Sequence, residues 1–222
     1  RNIYFHNNHD LYVSQFIASE LNWLEKGIIL TQQTDYPNEH GTSFEFECNE
    51  PIRLELNIRY PYWAEKGMEV YVNGKKQSIS KEPQSFVEIE KEWKSGDRVK
   101  VAFPFSLRLE SMPDDKDRAA IMYGPLVLAG DLGHVNEEDT VDASQVPVFR
   151  TDERNPANWT VPVEGEPNTF KTEDVGRPGD VKLRPFYGII DRKYSIYFDF
   201  VSQQEWEERK DEYEKEMAGL ML

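Results

Sequence analysis

The stretch Phe103-Pro-Phe-Ser-Leu-Arg-Leu-Glu-Ser-Met-Pro-Asp-Asp-Lys-Asp-Arg-Ala-Ala-Ile-Met-Tyr-Gly-Pro-Leu-Val-Leu-Ala-Gly130 decides how this chain folds. Two strand-like runs flank the polar loop Pro113–Arg118, and the second run, Ala119–Gly130, is the most apolar segment of the protein. Short apolar runs bounded by Gly, Pro and Asp are the mark of strands rather than helices. The second run must lie where the core is packed. Gly124-Pro125 interrupts it, and it falls well short of the roughly 20 apolar residues that a membrane-crossing helix needs.

Working back from this run, strand signals recur at roughly ten-residue spacing, which favours an antiparallel sandwich over βαβ units. In Ile52–Arg59, Ile52, Leu54, Leu56 and Ile58 alternate with Arg53, Glu55, Asn57 and Arg59, the pattern of a half-buried strand. Ile28–Thr34, Ser43–Cys48, Ser85–Glu90 and Arg98–Phe103 read the same way. Met68–Val72, the pair Asn73-Gly74 and Lys75–Ser80 form the strongest hairpin signal. At the start, Asn2–His6 and Leu11–Ile17 flank the turn residues Asn7-Asn-His-Asp10. Arg1 opens straight into strand-like sequence with no leader pattern, as expected of a piece excised from something longer.

Beyond Gly130 the character changes. Residues 1–110 carry 13 basic and 17 acidic side chains, whereas 111–222 carry 13 and 24. Asp131–Gln145 is polar with few strand formers, and prolines then punctuate a loop-rich region as far as Pro185. Val181–Ile190 and Tyr194–Val201 read as a final strand pair joined by Asp191-Arg192-Lys193. Ser202, with Glu205 three residues on, forms a capping box for one charged helix over 203–217, anchored by Trp206, Tyr213 and Met217. The expected fold class is mainly β: an antiparallel, jelly-roll-like β-sandwich over 1–130, then a smaller loop-rich β region over 131–222 ending in that helix.

Charge and cysteine usage narrow the function classes. With 26 Lys and Arg against 41 Asp and Glu, the net charge of −15 repels phosphate backbones and anionic lipid. Nucleic acid and membrane surfaces are therefore not expected partners. Cys48 is the only cysteine, so no disulfide framework or cysteine-rich zinc cluster can be built within the chain. It shares a strand face with Phe44 and Phe46 and reads as a buried structural thiol.

Four constellations could carry chemistry. Asp114, Asp115 and Asp117 share a loop, but two are adjacent and the sixth position is Ala119 rather than Gly, so a solvated turn paired with Arg118 is favoured over a calcium loop. His6, His9 and Asp10 lack ligand spacing, and no metal site is assigned there. Paired carboxylates are too frequent in an acidic chain to mark glycosidase chemistry without a measured separation of roughly 5–10 Å. The cluster Tyr60-Pro-Tyr-Trp63 is the best binding candidate. Tyr60, Tyr62 and Trp63 suit either domain packing or sugar stacking, with packing the first choice. Trp93 is expected to plug the end of a sandwich strand.

Four stretches carry a resemblance. They are Ile3-Tyr-Phe-His-Asn-Asn-His-Asp-Leu-Tyr-Val-Ser-Gln-Phe-Ile17, Leu56-Asn-Ile-Arg-Tyr-Pro-Tyr-Trp-Ala64, Val70-Tyr-Val-Asn-Gly-Lys75 and Arg118-Ala-Ala-Ile-Met-Tyr-Gly-Pro-Leu-Val-Leu-Ala-Gly130. In order and spacing they resemble the region that follows the catalytic barrel in glycoside hydrolase family 127, the β-L-arabinofuranosidase-like enzymes. The tail, Leu183-Arg-Pro-Phe-Tyr187 and Tyr194-Ser-Ile-Tyr-Phe-Asp199, is similar to the C-terminal extension of such proteins.

The resemblance implies an (α/α)₆ barrel upstream, with a zinc held by cysteines and a glutamate and one cysteine acting as nucleophile. Cys48 matches none of those motifs, so no catalytic residue, metal ligand or cofactor carries over to this chain. The implied role is an accessory β-sandwich region whose partner is its own upstream catalytic domain, inactive alone, within a protein acting on plant arabinofuranoside-type glycans. A carbohydrate-binding module that uses its exposed aromatics is the alternative. The resemblance favours a periplasmic or secreted setting over a cytoplasmic one.

Overall fold

In a computed structural model, residues 2–135 and 146–219 are described. The chain divides into two compact units, Arg1–Phe105 and Ser106–Leu222. The sequence reading put this boundary near 130, and the structure moves it 25 residues earlier. The reason is strand pairing: the apolar run after Phe105 bonds to strands near the C-terminus, not to the sandwich that precedes it.

The first unit has two sheets. Four strands form one of them: β1 (Tyr4–His6), β2 (Asp10–Val13), β6 (Ile52–Tyr60) and β9 (Ser85–Trp93), in the order β1-β2-β6-β9. The other contains β3 (Ser19–Trp23), β4 (Ile28–Gln33), β5 (Gly41–Cys48), β7 (Glu69–Val72), β8 (Lys75–Lys76) and β10 (Arg98–Ala102), in the order β3-β4-β5-β10-β7-β8. All pairings are antiparallel except β2 with β6. β3 escaped the sequence reading because Ser19-Glu-Leu-Asn-Trp23 buries only its tryptophan. β8 is two residues long, not the six expected.

Alternation builds the core of this unit. Leu54, Leu56 and Ile58 of β6 face Phe44 and Phe46 of β5 and Val99 and Val101 of β10, all of them buried. Asn57 departs from its expected outward place and is buried, its Nδ2 donating to Glu55 at 3.1 Å. Trp93 is fully buried and stacks on Phe46 at 4.1 Å, while its indole N–H donates to the Leu54 carbonyl at 3.0 Å. It is the strand-end plug that the sequence suggested.

Asn73 and Gly74 both have positive φ, as a two-residue hairpin turn requires. Asp97, at the tight turn before β10, ties the neighbouring loops together. Its carboxylate accepts from Asn73 Nδ2 at 2.6 Å and from Lys91 Nζ and the Lys94 amide at 2.8 Å each.

The second unit is one ten-stranded sheet. Its spine is β12 (Arg118–Tyr123) and β13 (Leu126–His134), the two arms of the apolar run. β11 (Leu107–Ser111) pairs with β12. β18 (Lys182–Pro185) and β19 (Arg192–Ser195) take opposite edges of β13, and β20 (Tyr197–Val201) pairs with β12. The expected terminal strand pair is therefore no pair: its members bond separately to the spine. The short strands β14 (Val148–Arg150), β15 (Thr160–Pro162), β16 (Phe170–Thr172) and β17 (Gly176–Arg177) complete the sheet. Of the polar stretch after Gly130, residues 131–134 extend β13, and residues 136–145 lie outside the described residues.

Phe149, Trp159, Phe198 and Phe200 are buried at the centre of this unit, with Phe149 and Phe198 stacked at 4.6 Å. Gly130 lies beneath them. A Cβ there would meet Phe198 Cζ at 2.7 Å and Val181 Cγ2 at 3.2 Å. The helix α1 (Gln203–Gly219) begins as expected: Ser202 Oγ accepts from the Glu205 amide at 3.0 Å, and Trp206 is buried. The side chains of Tyr213 and Met217 lie outside the described residues. Among the described residues, no helix is long and apolar enough to cross a membrane.

Two outcomes follow. Gly130→Val should cost about 1–3 kcal/mol in urea unfolding, because the ring of Phe198 must move. Burial raises the Asp97 carboxyl, but hydrogen bonds from Lys91, Asn73 and the Lys94 amide outweigh it and hold the group below the usual range. Its contribution is thus present above the unfolded pKa of about 3.9 and fades as pH falls through the lower folded value. Asp97→Asn should flatten the loss of thermal stability below about pH 4, relative to the parent chain.

Candidate functional site

The aromatic cluster at the end of β6 does not form one surface. Tyr60 and Trp63 are each 5% exposed, and Tyr62 is 45% exposed. Trp63 lies inside a ring assembly with Tyr36 at 6.4 Å, Phe103 at 5.6 Å and Phe105 at 5.2 Å. Phe16 closes it from the other side, 4.7 Å from Phe103. Burial also pushes the Tyr36 hydroxyl up, so this assembly stays neutral. Trp63 is a core residue of the first unit. Tyr62 alone of the three turns outward, beside a depression of about 510 Å³ edged by Arg59, Gln84 and Phe86.

The other candidates resolve into local structure. In the loop before β12, Asp117 is bound by Arg154, and Asp115 Oδ1 accepts the Asp117 amide at 3.0 Å. Arg118, expected to pair with this loop, instead makes a two-pronged bond to its cross-strand neighbour Asp199, at 2.7 and 3.0 Å. His6 lies against Trp23, ring centroids 4.3 Å apart. The His9 amide donates to Asn7 Oδ1 at 2.8 Å, closing the first turn.

Cys48 is half-buried rather than buried, and burial together with the Asp97 carboxylate pushes its thiol up. That is the opposite of what a nucleophile or a zinc thiolate needs. Among the described residues, no grouping of three or more His, Cys, Asp or Glu side chains could hold a metal ion. A lone protonated thiol does not fit the cysteine-and-glutamate zinc set implied by the family resemblance.

A concavity lies on the face of the six-stranded sheet that points away from the core. It is about 610 Å³ and includes Gln33, Ser43, Glu45, Tyr71, Arg98 and Lys100. A second hollow of about 310 Å³ adjoins it, sharing Gln33, Ser43, Lys100 and Ala102. Glu45 is held by Arg98 through both oxygens at 3.1 Å. Tyr71 Oη donates to Glu69 at 2.9 Å, and Lys76 also binds Glu69, which lowers that carboxyl below its usual range. The sequence contains these residues as the polar members of alternating strands, Tyr71 between Val70 and Val72, and Lys100 between Val99 and Val101. Only the sheet order brings them side by side.

A mainly β region of two units, with no assembled metal centre among its described residues, is the class defined by this fold. Residues 10–105 match the family described as the β-L-arabinofuranosidase, GH127 middle domain, and residues 108–200 match a domain of unknown function. Residues 10–105 are thus similar to the middle domain of that family.

Three solved structures share its fold. One, described as a glycoside hydrolase, is 18% identical with TM-score 0.65, over 90% of this chain and 37% of its own. A GH127 β-L-arabinofuranosidase from Geobacillus stearothermophilus T6 is 17% identical with TM-score 0.60, over 90% and 35%. A GH127 β-arabinofuranosidase is 20% identical with TM-score 0.62, over 90% and 36%. The chain thus spans little more than a third of the length of these structures. No curated protein matches it by sequence.

The divided aromatic cluster gives an unequal pair of outcomes. Trp63→Ala should lose about 3–5 kcal/mol of stability in denaturant unfolding, as for a buried indole. Tyr62→Ala should stay within about 1 kcal/mol of the parent.

Proposed function

We propose that this chain is the accessory β-sandwich region of a glycoside hydrolase acting on arabinofuranoside-type plant glycans, and that it packs against and completes a catalytic (α/α)₆ barrel outside this sequence. The observation that carries it is the match of residues 10–105 to a domain described as the middle of a β-L-arabinofuranosidase. Two things support it. The similar structures are nearly three times as long as the part this chain covers. Burial and the Asp97 carboxylate push the Cys48 thiol up, which supports a nucleophile held outside this sequence.

A sugar-binding role for Tyr60, Tyr62 and Trp63 is the weaker choice. Two of the three rings are buried in the core, and a single tyrosine is left to stack.

The test uses the purified 222-residue chain with an aryl arabinofuranoside, alone and with the separately expressed catalytic portion of its parent polypeptide. No turnover is expected from the chain alone. Raised thermal stability or turnover of the catalytic portion is expected on mixing. Turnover by the chain alone, or a catalytic portion indifferent to it, would overturn the proposal.

A further inference from the structure

Asn73-Gly74 is the only Asn-Gly pair in the sequence. Such a pair carries a reaction of its own. The glycine backbone nitrogen attacks the Cγ carbon of the asparagine side chain. A bond from that nitrogen to Cγ forms, and the bond from Cγ to Nδ2 breaks. The side-chain nitrogen leaves as ammonia, taking the proton of the glycine N–H. The cyclic imide then takes up one water and opens to aspartate or isoaspartate. Water is the sole co-reactant, and nothing is oxidised or reduced. Glycine favours the attack because no side chain shields its nitrogen.

The hairpin leaves the pair open to solvent. Asn73 is exposed, and a Cβ built on Gly74 would meet nothing within 4 Å. The carboxamide of Asn73 is nevertheless held at both ends. Its Nδ2 donates to Asp97 Oδ1 at 2.6 Å, and its Oδ1 accepts the Arg98 amide at 2.8 Å. The Asn73 backbone N–H donates to the Arg98 carbonyl at 2.9 Å, so the turn itself is tied to the same two residues.

Asp97 opposes the reaction in two ways. The nitrogen it holds is the leaving group, and a hydrogen bond to a charged acceptor is among the stronger ones. Attack on Cγ also gathers negative charge on the former carboxamide, beside a carboxylate that is ionised at neutral pH. The other Asp97 oxygen accepts from Lys91 Nζ and the Lys94 amide at 2.8 Å each, which fixes the carboxylate in place. The product is disfavoured as well, because an acid at 73 would set a second carboxylate against the first.

We propose that Asn73 is a latent deamidation site and that Asp97 is the group that keeps it closed. The chain retains its asparagine while the hairpin is folded onto Asp97 and loses it where that clamp opens. The modification would break the tie between the hairpin and the turn before β10.

Incubation of the whole chain in mildly alkaline buffer at body temperature, followed by peptide mass analysis and isoaspartate detection, tests it. The folded parent should keep Asn73 far longer than the same chain unfolded in urea. Asp97→Ala should deamidate at least about tenfold faster than the parent, the factor that one hydrogen bond to a charged group is worth. Asp97→Asn, which keeps the shape and loses the charge, should also be faster. Lys91→Met removes the ion pair to Asp97 but leaves the bond to Asn73, so its rate should stay near that of the parent. Melting curves show that each variant is folded at the incubation temperature.

A folded parent that deamidates as fast as the unfolded chain would overturn the proposal. So would an unchanged rate in both Asp97 variants, or a Lys91→Met rate raised as far as that of Asp97→Ala. None of these results touches the accessory role, which is judged by turnover and stability of the catalytic portion.

Discussion

The first unit depends on Trp93. The chain leaves the four-stranded sheet at this residue and enters the six-stranded sheet five residues later, so one indole marks the crossing. Its ring stacks on Phe46 of the opposite sheet, and its N–H satisfies the Leu54 carbonyl of its own sheet. A large apolar surface and a buried donor are thus accommodated together, which is the condition for burying tryptophan. Lys91 adds its ammonium 5.1 Å from the ring and also binds Asp97, so the charge network at the turn is anchored to the same residue. Asp97 in turn fixes Asn73 in the neighbouring hairpin.

The second unit solves a different problem. A long apolar hairpin, β12 and β13, cannot bury both faces and both edges with a single partner. Its edges are instead shared out among β11, β18, β19 and β20. Close packing over Gly130 lets Phe198 reach the centre, where it meets Phe149. Asp131, next in the chain, has a side chain only 5% exposed that pairs with Arg192 and Arg184. Burial raises its carboxyl, but these bonds and the Gly133 amide hold it below the usual range. Removing a partner from a buried carboxylate is destabilising, so β18 and β19 are tied to β13 by charge as well as by backbone.

The sites show where sequence reading is strong and where it fails. Alternation identified the buried face of β6 and the structural place of Trp93, because both depend on local periodicity. It put packing first for Trp63 and kept sugar contact as the alternative. A proline bend suggests exposure, but Phe16, Tyr36, Phe103 and Phe105 arrive from distant parts of the chain to cover it. It paired Arg118 with its own loop, whereas the partner is Asp199, 81 residues away. The lining of the outer-face concavity was invisible for the same reason: Gln33, Ser43, Lys100 and Tyr71 come from strands that the chain visits out of spatial order.

By itself the sequence determined that the chain is mainly β, that its strongest hairpin turns at Asn73-Gly74, that its helix starts at Ser202, and that its one cysteine cannot build a metal cluster. Each of these is a short-range property, set by backbone preference, side-chain alternation or composition. The tertiary structure decided the boundary at Phe105, the edges given to β18, β19 and β20, the burial of Tyr60 and Trp63, and the meeting of Gln33, Ser43, Lys100 and Tyr71 on one sheet face. Those features depend on which strands become neighbours. Pairing is settled by burial and edge satisfaction over the whole unit, and no local stretch of residues encodes it.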